Sequence, residues 1–159
     1  MRRVFFLLPL LWILNSCTTE GSQIEDVSLD EARLQFKSEI KATLDERIKG
    51  KEILKENYLS KVLDRSEFKV NDVKKTADTA KVQVEIKTVP LKVREALTDI
   101  MVKLDPAQEN NFNVPDALSM ISKQLGVDSS ANLQIQKIIL LKKETVWKAQ
   151  APKPQALTK

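Results

Sequence analysis

The sequence contains no histidine, and its 159 residues include one cysteine and three glycines. Without histidine, the Ser-His-Asp and Cys-His arrangements of nucleophilic catalysis cannot form, and most zinc, copper and haem sites lose their commonest ligand. A single cysteine excludes a disulfide within the chain, and no glycine-rich loop is present to bind a phosphate group. The sequence therefore predicts no cofactor, no transition metal and no catalytic residue. A carboxylate-only enzyme remains open, although no local pattern marks a pair of carboxylates.

The longest apolar run, VFFLLPLLWIL, occupies residues 4–14 and follows two arginines. As a helix this run rises about 16 Å, which is too short for the roughly 30 Å of hydrocarbon in a bilayer. Pro9 also interrupts it. A basic start, a short apolar core and small polar residues are typical of an export signal, which we expect to comprise residues 1–16 and to be cleaved. An uncleaved membrane anchor is the alternative.

Cys17 follows this run, and the stretch LNSC resembles the lipobox of bacterial lipoproteins. In that motif a leucine three places before the cysteine and a small residue just before it direct a dedicated peptidase. Leu14 and Ser16 match the motif, whereas Asn15 departs from the usual residue. The resemblance implies cleavage between Ser16 and Cys17, and a cysteine that carries acyl chains such as palmitate as a lasting membrane anchor. Thr18, in place of aspartate, favours the outer membrane facing the periplasm. An ordinary secreted protein is the alternative.

Charge gives no indication of a nucleic-acid partner. Loss of Arg2 and Arg3 with the signal reduces the 26 basic residues to 24, against 22 acidic residues, for a formal net charge of +2. The two signs are interspersed, which is typical of solvated surfaces rather than of a nucleic-acid-binding patch. Residues 17–159 are enough for one domain with a hydrophobic core.

The first half of this domain is predicted to contain two helices and a β-hairpin. Residues 17–27 are expected to form a flexible, lipidated tether. Ser28 and Glu31 match the S-x-x-E capping box, which predicts that the first helix begins at Ser28. Apolar spacing predicts a second helix at 51–63. Alternating apolar and polar residues between 68 and 89 predict the hairpin.

The second half is predicted to contain two further helices, at 91–104 and 114–125, and then a second hairpin between 132 and 150. Residues 151–159 contain two prolines and no periodicity, so we expect a disordered tail. The element order predicts one α+β domain, residues 28–150. In this domain the N-terminal helices pack on a curved antiparallel sheet, with a two-helix insertion between strands.

Each of the two inserted helices has one clean apolar row, which includes Leu97 and Ile100 in the first helix and Leu118 and Ile121 in the second. A lone helix of this length is marginal in water, so these rows must be buried against something. The domain's own core is one possibility. A docking surface for a partner protein, or for the bilayer beside the anchor, is the other.

The stretches KENYLSKVL, VNDVKKTADTAKVQVEI and IILLKKETVWKAQ resemble the second helix, first hairpin and closing strands of small exported cystatin-like, or nuclear-transport-factor-two-like, domains. This resemblance implies a long helix wrapped by a curved antiparallel sheet around a cone-shaped cavity. Tyr58 and Trp147 are the candidates to line that cavity. Packing of both side chains within the core is the alternative.

The sequence therefore predicts a non-catalytic, lipid-anchored lipoprotein of the bacterial cell envelope that binds a protein or another envelope component. A cystatin-like cavity domain that binds a small ligand, or acts as an enzyme, is the alternative. A third possibility is an inhibitor or accessory subunit of a membrane complex that docks through residues 91–126. Export makes nucleic acid an unexpected partner.

Overall fold

The computed structural model describes residues 14–127 and 133–151, with side chains from residue 20 onward. Most of the expected export signal lies outside the described residues. The same is true of the side chain of Cys17 and of all but the first residue of the expected C-terminal tail.

The described chain forms helices and strands in the order α1 (Leu14–Arg47), α2 (Glu52–Asp64), β1 (Glu67–Lys75), β2 (Thr79–Thr88), α3 (Leu91–Lys103), α4 (Pro106–Glu109), α5 (Val114–Gln124), β3 (Leu133–Lys143) and β4 (Trp147–Ala149). The predicted α+β class is confirmed, with helices at the N-terminal end, an antiparallel sheet, and helices inserted between β2 and β3. The short helix α4 forms between the two predicted helices, in a segment for which the sequence predicted no element.

The four strands form one antiparallel meander in the order β1-β2-β3-β4. In the central strand β2, Val82, Val84 and Ile86 are fully buried, while the residues between them face outward. This alternation is the one expected of a strand with one face in the core and one in water. In β1 the register shifts between Val70 and Asp72, so two residues of β1 share one partner position on β2.

Helix α1 lies on the inner face of the sheet and contacts all four strands, as well as α2 and α3. Its first half packs in a cluster with Val82 and Trp147. Its second half packs in another cluster with α2, α3 and α5. Phe68 of β1 contacts both clusters, and its ring meets that of Phe36 edge-on at 6.0 Å. The two clusters are therefore joined through β1 into one core.

The predicted start of the first helix at Ser28 is wrong, because α1 begins at Leu14 and includes residues 17–27. The side chain of Ser28 is buried, and its hydroxyl donates a hydrogen bond of 2.6 Å to the carbonyl oxygen of Ile24, one turn earlier. Ile24 is itself buried in the cluster that contains Trp147. Contacts with distant strands therefore extend the helix past a serine that, by local pattern, marks a helix start.

Two glycines take left-handed backbone conformations after helices. Gly50 has φ of 69° after α1, and Gly126 has φ of 61° after α5. The amide of Gly126 donates to the carbonyl of Lys123, and the amide of Val127 donates to that of Ser122. These bonds satisfy carbonyls at the end of α5 that have no partner within the helix.

The apolar rows of α3 and α5 are buried in the protein's own core. Leu97, Leu118 and Ile121 are buried, and Ile100 packs against the same cluster with part of its surface exposed. The structure therefore has the first alternative, burial of these rows in the domain's own core. The docking alternative is wrong for these residues, because α3 and α5 pack their apolar rows on each other and on α1 and α2.

Candidate functional site

At the N-terminal end of α1, Glu20 connects the helix to the ends of three strands. Its Oε1 atom accepts hydrogen bonds from Lys143 Nζ at 2.6 Å and from Trp147 Nε1 at 3.3 Å. Its Oε2 atom lies 2.8 Å from Lys75 Nζ. We call Glu20, Lys75, Lys143 and Trp147 the Glu20 cluster. It holds the first described side chain of α1 against β1, β3 and β4.

The packing of Trp147 accounts for the composition of this cluster. Its indole ring is 2% exposed, and a buried indole N–H requires an acceptor, which Glu20 supplies. The ammonium groups of Lys75 and Lys143 lie 5.7 and 5.8 Å from the ring centre, within the range of a cation–π contact. Each lysine therefore contacts both the Trp147 ring and the Glu20 carboxylate, which accepts the hydrogen bond from the indole N–H.

The electrostatics of the cluster keep Glu20 ionised. The hydrogen bond from Lys143, followed by that from Lys75, lowers the pKa of Glu20 from 4.5 to about 2. A carboxylate with so low a pKa is a weak base and carries no proton near neutral pH, so it is poorly suited to acid–base catalysis. The contacts of Glu20 instead fix the N-terminal part of α1 against the sheet. Because Glu20 comes three residues after Cys17 in the same helix, they also fix the position of the Cys17 backbone.

A second candidate site lies at the opposite end of the sheet, where β1 begins and β2 ends. An open cleft of about 560 Å³ is lined by apolar and polar side chains from the β1 and β2 ends and from α5. We call it the distal cleft. Its lining residues are Arg65, Val89, Pro90, Ser119, Ser122, Lys123 and Val127. Its volume falls within the roughly 300–1,000 Å³ that is typical of small-molecule sites.

The distal cleft has two cationic groups and no acidic side chain among its described lining residues. Arg65 donates a long hydrogen bond of 3.4 Å to the carbonyl of Pro115. No described carboxylate forms an ion pair with Arg65 or Lys123. The hydroxyl protons of Ser119 and Ser122 are donated to carbonyls of α5. The two cations are therefore the groups in this cleft that favour an anionic ligand.

The predicted cavity shared by Tyr58 and Trp147 is wrong, because the two side chains are buried in different clusters. The Tyr58 hydroxyl donates to the carbonyl of Arg94 at 3.4 Å, beside a recess of about 110 Å³. That recess is smaller than a typical ligand site. Both aromatic side chains instead pack in the core and satisfy their polar atoms locally, which is the alternative that the sequence left open.

Sequence reasoning missed the residues of both candidate sites other than Trp147. Glu20 stood in the expected tether, where no periodic pattern marks it as a contact residue. Arg65 and Lys123 are far apart in the sequence, and each is an ordinary exposed cation in its own segment. The fold brings them together because the end of α2 and the end of α5 meet beside the end of β2.

Within the described ranges, no three or more aspartate, glutamate, cysteine or histidine side chains are grouped so as to hold a metal ion. In the same part of the chain, no helix combines the length and apolar character needed to cross a bilayer. Comparison of the chain with protein-family models, with curated proteins and with solved structures found no match.

Proposed function

We propose that this chain is a lipid-anchored, non-catalytic lipoprotein of the bacterial cell envelope that binds a protein or another envelope component. In this proposal residues 1–16 are removed and Cys17 carries the acyl chains, with the domain in the periplasm at the outer membrane. The observation that carries the proposal is the Glu20 cluster. It joins the residues directly after Cys17 to the folded domain, so a lipid on Cys17 would hold the domain close to the membrane surface.

The pKa shifts of the described carboxyl groups support a non-catalytic role. Hydrogen bonds from Lys143, Lys55 and Lys148 lower the pKa values of Glu20, Asp45 and Glu144, respectively. A general acid that works near neutral pH needs a raised carboxyl pKa. Each of these shifts is in the opposite direction, and each belongs to a carboxylate paired with a lysine outside the distal cleft.

The test of the anchor is to replace Cys17 with alanine and label growing cells with a fatty-acid probe. The native chain is expected to be labelled and to fractionate with membranes. The Cys17→Ala variant is expected to lose the label and to keep its uncleaved signal. Thr19→Ala is the matched control, because it changes a nearby residue outside the lipobox and is expected to retain the label. A Cys17→Ala protein that stays labelled and mature-sized in the membrane contradicts the proposal.

The distal cleft favours a second candidate function, the binding of a small ligand that carries an anionic group. This is the cavity-domain alternative, placed in a different part of the fold from the site that the cystatin-like resemblance implies. Two cations without a described acidic partner beside an apolar wall support it. An anion there would gain charge-assisted hydrogen bonds from Arg65 and Lys123.

Inorganic phosphate and acetate are suitable probes of the distal cleft. Their addition is expected to shift the backbone amide NMR signals of Ser122 and Val127, and the double variant Arg65→Gln, Lys123→Gln is expected to lose these shifts. Lys37→Gln, an exposed lysine on α1, is the control and should retain them. Equal shifts in the double variant and in the native chain would exclude anion binding by these two cations.

A further inference from the structure

The end of the sheet beside the Glu20 cluster is rich in lysine. In the last rungs of the ladder, Lys74 of β1 lies opposite Lys81 of β2, and Lys142 of β3 lies opposite Lys148 of β4. We call the six lysines of these rungs the basic end. They are Lys74, Lys75, Lys81, Lys142, Lys143 and Lys148.

The two opposed lysine pairs are unfavourable for the isolated domain. Like charges directly opposite each other on neighbouring strands repel and destabilise a sheet. All four of these lysines are exposed, and they alternate with inward-facing residues such as Val82, Leu141 and Trp147, which places them on the outer face. An anionic surface close to this end would attract these lysines and so offset their mutual repulsion.

Nearby acidic residues neutralise only part of the basic end. Lys75 and Lys143 are bonded to Glu20. Lys148 is 2.8 Å from Glu144, and Lys74 is 3.9 Å from Asp72. No ion pair to a described carboxylate involves either of the two remaining lysines, which are Lys81 and Lys142. These two are therefore the basic-end charges most available to another surface.

The position of Cys17 determines which surface this is. Three residue steps separate Cys17 from Glu20 within α1, a rise of about 4.5 Å, and even a fully extended chain covers at most about 11 Å in three steps. The Debye length is about 10 Å at 0.1 M salt. A lipid on Cys17 would therefore hold Glu20, and with it the ends of β1 and β3 that carry Lys75 and Lys143, close to the bilayer surface, where the lysines of this sheet end are attracted to anionic headgroups.

The turn between β3 and β4 adds a small apolar contact at the same end. Val146 lies in this turn and is 45% exposed, between Lys143 and Lys148. An exposed apolar side chain flanked by lysines is a common composition at membrane surfaces, because the lysines meet the headgroups while the apolar group enters the interface.

We infer that the basic end docks on anionic phospholipid headgroups of the bilayer that holds the Cys17 lipid, with Lys81 and Lys142 as the main charged contacts and Val146 at the interface. This inference rests on the proposed function, because it needs Cys17 to be acylated. It adds an orientation to that function. The sheet end with the β1–β2 and β3–β4 turns faces the bilayer.

The sole cysteine of the chain makes a direct test possible. In the lipidated protein the Cys17 sulfur is a thioether, so a cysteine introduced elsewhere is the only free thiol. Val146→Cys places a thiol-reactive fluorophore at the basic end. Met120→Cys is the matched control, because Met120 is 53% exposed on α5, next to the distal cleft at the opposite end of the sheet.

Both full-length lipidated variants are reconstituted into vesicles of phosphatidylcholine alone, or of phosphatidylcholine mixed equally with phosphatidylglycerol, each with nitroxide-labelled lipid. Quenching at position 146 is expected to be several times that at position 120 in the anionic vesicles, and to decrease with added salt. Adding Lys81→Gln and Lys142→Gln is expected to remove the dependence on phosphatidylglycerol, whereas Lys37→Gln with Lys92→Gln should leave it unchanged. An unchanged urea midpoint for Trp147 fluorescence checks that each variant is folded.

The outcomes separate the inference from the proposed function. If the native chain lacks the fatty-acid label and its Cys17 reacts with the fluorophore, the lipoprotein proposal fails and the inference fails with it. If Cys17 is acylated but position 146 is quenched no more than position 120, the inference alone is overturned. Quenching at 146 that is indifferent to phosphatidylglycerol and to the lysine substitutions also overturns it.

Discussion

The burial of α3 can be tested with the same substitution at two leucines of one helix. Leu97 is 0% exposed in the core, whereas Leu91 is 50% exposed at the start of α3. Replacing a fully buried leucine with alanine removes its burial energy and leaves a cavity, and costs about 3 kcal/mol. At Leu91 only about half of the burial energy is lost and solvent fills the space, so the cost is about 1 kcal/mol. The small difference in helix propensity between leucine and alanine is common to both sites.

Urea unfolding measures this difference. We would use the mature chain with Cys17→Ser, so that no lipid is present, and follow helix content and Trp147 fluorescence together. With a denaturant slope of about 2 kcal/mol per molar, the urea midpoint should fall by about 1.5 M for Leu97→Ala and by about 0.5 M for Leu91→Ala. In a chain prepared from residue 17 onward, Trp147 is the only tryptophan, and it lies in the other cluster from Leu97. Equal midpoints for the two variants would refute burial of α3, and separate transitions for the two probes would refute a single core.

Three further predictions concern backbone conformation and charge. Gly21→Ala is expected to stabilise the domain by about 0.5–1 kcal/mol, because Gly21 lies within α1 and an added Cβ would meet no other atom. An unchanged stability would indicate that this segment is a flexible tether rather than part of the helix. Gly126→Ala is expected to destabilise the domain by about 1 kcal/mol, because its φ of 61° strains any other residue; both are measured by urea unfolding. The folded pKa of Glu20 is about 2, against an ordinary value of 4.5, so its stabilising contribution is present above pH 4.5 and is lost as the pH falls toward 2. Glu20→Gln should therefore lower the urea midpoint at pH 7 and reduce its fall between pH 5 and pH 2.5; an identical pH profile would exclude the Glu20 contacts.

The secondary structure of residues 51–127 and 133–150 was largely accessible from the sequence, because the apolar period there changes with each element. The alternation of Val82, Val84 and Ile86 predicts a half-buried strand, and the row that contains Leu97 predicts a helix. The turns between these elements are marked by prolines and glycines such as Pro90 and Gly126. Apolar periodicity in the sequence reflects which face of an element is buried. Helices and strands with one buried face were therefore predicted correctly.

The start of α1 was not accessible in this way. Ser28 followed by Glu31 satisfies the capping box, but the same two residues also fit the middle of a helix. Which of these applies depends on whether Ile24 and Glu20 have partners, and those partners are Trp147 and Lys143, far along the chain. The cavity prediction failed for a related reason. The sequence shows that Tyr58 and Trp147 are large and apolar, but only the fold shows that they belong to separate clusters.

Helix α1 extends from the Glu20 cluster to the helices that pack beside the distal cleft. From Glu20 to its last residue, Arg47, the helix rises about 42 Å, from the Glu20 cluster at one end of the sheet to the packing against α2 and α3 at the other. Phe68 joins the two halves of the core along this length, so the ends are held by continuous packing rather than by a hinge. A bilayer contact at the basic end would therefore fix the direction of the distal cleft as well. The cleft would then face away from the membrane, where an anionic ligand could reach Arg65 and Lys123.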